Sequence, residues 1–154
     1  MHPARIHNSP ALHLIGPRAS YSHATRAGIP DQWANWDYEA VSGVASDLVY
    51  GVSIAVSPPD RFDYICALPV SASAQPPKGQ EMLFIPPTRF AIFDHHGHVS
   101  GMAALFDAIN CGNVDWPDGL TLTDGPQLEV YGEGFDPVAA SGHVEIWVPV
   151  ARRQ

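Results

Sequence analysis

Three side chains on one short strand are the first candidates for chemistry. Asp124-Gly125-Pro126 is a turn signal. In the strand that follows, Gln127, Glu129 and Tyr131 point to one side and Leu128 and Val130 to the other, because strand side chains alternate with period two. A carboxylate thus shares a face with a phenol. If that face is buried, Glu129 needs a partner, since an unpaired buried charge is very costly. A protein cation or a ligand cation would serve, and the residues alone leave both open.

Aromatic side chains could wall such a site. Ile29, Trp33, Trp36 and Ala40 fall at i, i+4, i+7 and i+11, one stripe of a helix. Each indole either packs on a sheet or lines a pocket, as aromatic rings commonly do in small-molecule sites. Among strand aromatics Tyr131 ranks first because it shares a face with Glu129; Trp147 and Trp36 follow, and Tyr64 comes last. The candidate ligand-binding set is therefore Glu129, Tyr131, Trp36, Trp147, Trp33 and Tyr64.

Other chemistry finds less support. His95, His96 and His98 are potential metal ligands. A closed site also needs supporting partners, and His95 and His96 diverge in an extended segment, so the expectation is a polar loop and no metal. No Gly-x-Ser-x-Gly elbow is present, and no catalytic residue is assigned. Glu129 could act as a general base if an apolar wall raised its pKa. Asp136 and Glu145 are the spare carboxylates, Glu145 expected to face solvent. There is no Walker-type loop, and Gly132-Glu133-Gly134 reads as a turn, so no cofactor is expected.

The positioning elements read as follows. Ala11–Gly16 is a strand, Arg18–Gly28 a loop, and a helix starts near Pro30 and runs to about Ser42-Gly43. Leu48–Val56, stopped by Pro58-Pro59, and Phe62–Val70 are strands. Ser71–Gly79 is a linker. Glu81–Ile85 and Arg89–Asp94 are strands, followed by a helix over Ser100–Asn110 with the stripe Met102, Leu105, Phe106 and Ile109. Asn113–Gly119 is loop, Gly132–Gly142 a turn-rich connection, and Val144–Val150 the last strand.

Composition narrows the partners. The 154 residues suit a single domain, 1–154. The net charge of −8, with 8 Lys+Arg against 16 Asp+Glu, disfavours nucleic acid and anionic membranes and favours a cationic small molecule. Cys66 and Cys111 have no metal spacing and read as buried free thiols of a reducing compartment. No signal peptide and no membrane-spanning run are visible, so the expected location is cytoplasmic. The oligomeric state stays open between monomer and homodimer.

The two halves, about 4–70 and 81–150, match at an offset of roughly eighty residues. Tyr64–Val70 aligns with Val144–Val150, both ending in Pro-Val, and Leu48 and Val49 fall on Leu128 and Glu129. Each half reads strand, helix, strand, strand, which implies an α+β fold: duplicated units in one antiparallel sheet carrying two helices. Since Val49 stands where the second half has Glu129, the architecture does not require the carboxylate.

Three segments carry a family resemblance: Arg89–Phe93 with His96-Gly97-His98, Pro126–Tyr131, and Ile146–Val150. The chain resembles the GyrI-like small-molecule-binding domain, also found as the effector-binding domain behind AraC-type and MerR-type DNA-binding regions. The resemblance implies a central groove between the halves for amphipathic, often cationic, compounds, with Glu129 meeting the positive charge and aromatic rings sandwiching the ligand. The family's Gly-Pro-Tyr after the first strand is replaced by Ala19-Ser20-Tyr21. No helix-turn-helix segment precedes the domain, so DNA binding by the chain alone is not expected. The leading function is a stand-alone binding module for cationic small molecules. The alternatives are a hydrolase of cyclopropane-type electrophiles using the same groove, and a gyrase-inhibitor-like interaction module.

Overall fold

Period-two alternation governs most of the chain, and one antiparallel sheet results. The computed structural model describes residues 1–56 and 60–154. Among these, the elements are β1 (Arg5–Ser9), β2 (Leu12–Gly16), β3 (Arg18–Ser22), α1 (Ile29–Ala34), β4 (Val49–Val56), β5 (Arg61–Pro69), β6 (Glu81–Ile85), β7 (Thr88–His98), α2 (Met102–Asn110), β8 (Leu120–Leu122), β9 (Gln127–Asp136) and β10 (Ser141–Arg152). The sheet has 10 strands in the order β1-β7-β10-β9-β4-β5-β2-β6, with β3 on β5 and β8 on β10. The fold is α+β, built from duplicated strand-helix-strand-strand units, β3-α1-β4-β5 and β7-α2-β9-β10. In each unit the first strand pairs with the last and the last with the third, and the units join along β4 and β9.

Register decides which side chains meet. Tyr50 lies opposite Val130 and Val52 opposite Leu128. These four share a core with Leu14, Ile65, Ile85, Phe90, Ile92 and Trp147. Because β2 and β6 sit at one end of the strand order and β7 near the other, the sheet curls around this face. Each fully buried Leu, Ile or Phe contributes about 1.5–3 kcal/mol here. Both α-helices lie on the opposite face. Met102 and Ile109 of α2 pack on Phe93, Val144, Ile146 and Val148. Trp33 and Trp36 pack on Tyr64 and Cys66.

The first helix is shorter than its stripe suggests. It stops at Ala34 with Asn35 as its cap, and a single 3-10 turn over Tyr38–Ala40 follows. Pro30 stands in its first turn, and the stripe's last member, Ala40, is exposed. Arg18–Ser22 is a strand, not a loop: Ala19 and Tyr21 face the helices, while Arg18 and Ser20 both bond Asp63. The alternation was hidden because its outer residues are paired and polar. His95–His98 continues β7, and the His98 ring accepts the Ser100 N–H at the start of the next helical turn. The expected 132–142 connection is mostly strand, since β9 runs to Asp136 and β10 starts at Ser141. Two short strands, β1 and β8, were missed. Pro58 and Pro59, expected to stop β4, lie outside the described residues. Cys66 is buried, but Cys111 is exposed just past α2, and both are free thiols. Among the described residues no helix is long and apolar enough to cross a membrane.

Candidate functional site

The strands β4 and β9 form the floor between the two helices. On that face Val49 lies opposite Tyr131, Gly51 opposite Glu129, and Ser53 opposite Gln127. One strand further, Cys66 lies opposite Gly51 and Tyr64 opposite Ser53. Glu129 is buried, with 8% of its surface exposed, at the centre of this floor.

Two phenols hold it. Tyr64 donates to Glu129 Oε1 at 2.9 Å and Tyr131 donates to the same oxygen at 2.5 Å. The Trp33 indole N–H donates in turn to the Tyr64 hydroxyl at 3.1 Å. Both phenols converge on Oε1, and Oε2 accepts no hydrogen bond from the described residues. No Lys, Arg or His among them pairs with Glu129. Of the two partners considered from sequence, the protein cation is therefore not what the structure provides; neutral donors satisfy one oxygen only.

Gly51 makes this arrangement possible. A Cβ there would lie 2.2 Å from the Tyr64 hydroxyl and 2.9 Å from Glu129 Oε1. Any side chain at 51 would push Tyr64 off the carboxylate. A lone glycine inside an apolar strand signals close approach of another group, and that signal could have found Gly51 from the sequence.

Burial raises the pKa of Glu129, and the two phenolic hydrogen bonds oppose that rise. Burial, followed by the negative charge of Glu129, raises those of Tyr64 and Tyr131. The same two causes push up the Cys66 thiol, so it is not a reactive thiolate.

Aromatic rings enclose the carboxylate. The Trp33 ring stands edge-on to Tyr131 at 5.6 Å, to Trp36 at 5.7 Å and to Tyr64 at 6.3 Å. Phe135, which sequence reasoning did not single out, meets Tyr131 edge-on at 4.8 Å. Trp36 is buried, its indole N–H donating to Gln80. The first helix is positioned by Gln32, whose amide donates to the carbonyls of Pro17 and Tyr64 and accepts from the Tyr21 hydroxyl. The second is clasped to β9 by a reciprocal amide pair between Asn110 and Gln127.

Of the six expected site residues, Glu129, Tyr131, Tyr64 and Trp33 are brought into one connected cluster, with Trp36 packed behind Trp33. Trp147 is not brought there. It lies opposite Ile92 and beside Leu128, on the other face of the sheet, packed on Phe90 and His7. Strand parity explains it: Trp147 is in register with Leu128, whereas Glu129 is in register with Ile146.

The description that matches residues 18–150 is that of Cass2, an integron-associated effector binding protein. The chain belongs to this family. It is an effector-binding domain related to those of transcription regulators. It is 25% identical over 151 residues to the transcriptional regulator BrlR of Pseudomonas aeruginosa, covering 96% of this chain and 55% of that protein. The chain thus spans about half the length of that regulator. Among solved structures it is similar to a bacterial transcription regulation protein from Staphylococcus aureus MU50, with TM-score 0.69 and 17% identity over 95% of this chain and 96% of that one. It is also similar to SAV2435 bound to tetraphenylphosphonium, with TM-score 0.67 and 18% identity over 96% and 93% of the two chains. At these identities the structural likeness speaks for the fold.

Proposed function

We propose that this effector-binding domain takes up lipophilic cations between α1 and α2, with Glu129 as counter-charge and Tyr64, Tyr131, Trp33 and Trp36 as walls. One observation carries the reading: a buried carboxylate whose Oε2 accepts no hydrogen bond, and which no cationic side chain meets, among the described residues. Burial disfavours the charge on Glu129, and a bound cation would favour it. Aromatic faces around it add cation–π attraction of about 0.5–2 kcal/mol. The tetraphenylphosphonium carried by SAV2435 is a ligand of this class. The net charge of −8 favours approach of a cation and disfavours a phosphate backbone.

The test is Glu129→Gln, which keeps size and hydrogen-bonding capacity and removes the charge. A charge-assisted contact in a desolvated site contributes about 1.5–3 kcal/mol. Affinity for a cationic fluorescent dye should fall roughly ten- to a hundred-fold, while a neutral analogue of the same shape loses little. Equal losses would mean damage to shape; no loss for the cation would refute the counter-charge role.

A further inference from the structure

A second cluster of donors sits on the opposite face, beyond Trp147. The paired strands β7 and β10 place Asp94 opposite Glu145 and His96 opposite His143. Four potential metal-ligating side chains therefore share one patch, because residues two apart on a strand point the same way. His143 Nε2 lies 2.7 Å from Asp94 Oδ1. The His96 ring stacks on His143 with centroids 4.8 Å apart and planes at 22°. One ligand atom from each of Asp94, His143 and Glu145 falls within 4.8 Å of the others.

Each oxygen of Glu145 accepts one hydrogen bond within the protein. Arg5 donates to its Oε2 at 2.8 Å and the Trp147 indole N–H to its Oε1 at 3.1 Å. Such outer hydrogen bonds orient a metal-binding carboxylate. Asp94 and His143 are each more than a third exposed, so they can adjust. An ion held at about 2.0–2.2 Å by the trio would replace the direct His143–Asp94 hydrogen bond and draw Glu145 in.

We propose that Asp94, His143 and Glu145 form a binding site for a divalent transition-metal ion, with a further coordination position open to solvent beside His96. One imidazole with two carboxylates suits Zn2+ and its neighbours better than Mg2+ or Ca2+. Arg5, 2.8 Å from Glu145, competes with the ion for that carboxylate and weakens its binding. The histidines adjacent in sequence are otherwise engaged: the His95 ring bonds the His98 carbonyl, and the His98 ring bonds Ser100. Ligands drawn from two strands leave no spacing motif in the sequence.

Zn2+ alone, titrated by calorimetry and with Co2+ absorption as a second probe, should show one saturable equivalent per chain. Asp94→Asn and His143→Gln should each weaken it at least tenfold, and His98→Gln should not. Histidine-selective NMR of the unmodified protein should show the His143 ring responding first, which holds whether or not the variants fold. Absence of saturable one-to-one binding, or a His143 ring that does not respond, overturns the proposal.

Discussion

At the residue scale, Glu129 couples the candidate site to protons. Burial raises its folded-state pKa, whereas in the unfolded chain it titrates as an ordinary glutamate near about 4.3. The folded protein therefore binds this proton more tightly. The stabilisation this gives is complete below the unfolded value and is lost as pH rises through the folded value. Glu129→Gln removes the effect, so its stability relative to the parent protein should rise with pH across that window, as melting curves at several pH values would show. Cation binding favours the carboxylate and so releases a proton. Affinity for a cationic dye should fall as pH drops through the Glu129 transition of the free protein, while affinity for a neutral analogue stays flat. Calorimetry in buffers of different ionisation enthalpy reads the released proton directly.

At the element scale, a missing side chain on β4 lets a ring from β5 reach across to β9. Gly51→Ala should displace the Tyr64 hydroxyl, because the strand backbone is held on both edges by β5 and β9 and cannot retreat. Overpacking of this kind costs about 1–3 kcal/mol. A lowered melting temperature together with weakened dye binding is expected, and an unchanged dye titration would show that Tyr64 does not shape the site. Much at this scale was legible in the sequence. Period two gave β4, β5, the first half of β9 and most of β10, and the Met102–Ile109 stripe gave α2. Glu129 and Tyr131 were readable as face-sharing neighbours because both lie on one strand. What pairs across strands was not readable. Tyr64 ranked last because nothing local says that it lies beside a glycine, and Trp147 ranked high because parity between β9 and β10 is set by a register that the sequence does not display. That register also shifts between Gly142 and Val144. Ala67 and Glu145 consequently hold equivalent places, opposite Tyr50 and Val130, so the aligned Pro69 and Pro149 are two positions out of step.

At the scale of the whole molecule, the repeat has an interlocked form. The first half lends β1 to β7 and receives β6 on β2, and the halves also meet along β4 and β9. Stacked repeat proteins gain stability unit by unit from their nearest neighbours. Here each half uses strands of the other to close its own edges, so neither is a complete unit. The duplicated chain should behave as one cooperative body: a single unfolding transition, with circular dichroism and tryptophan fluorescence superimposing. Separately expressed halves should stay unfolded until mixed. Contacts between residues so distant in the chain also make the search for the native state slow. A chain duplicated in architecture has in this way given up the autonomy of its copies.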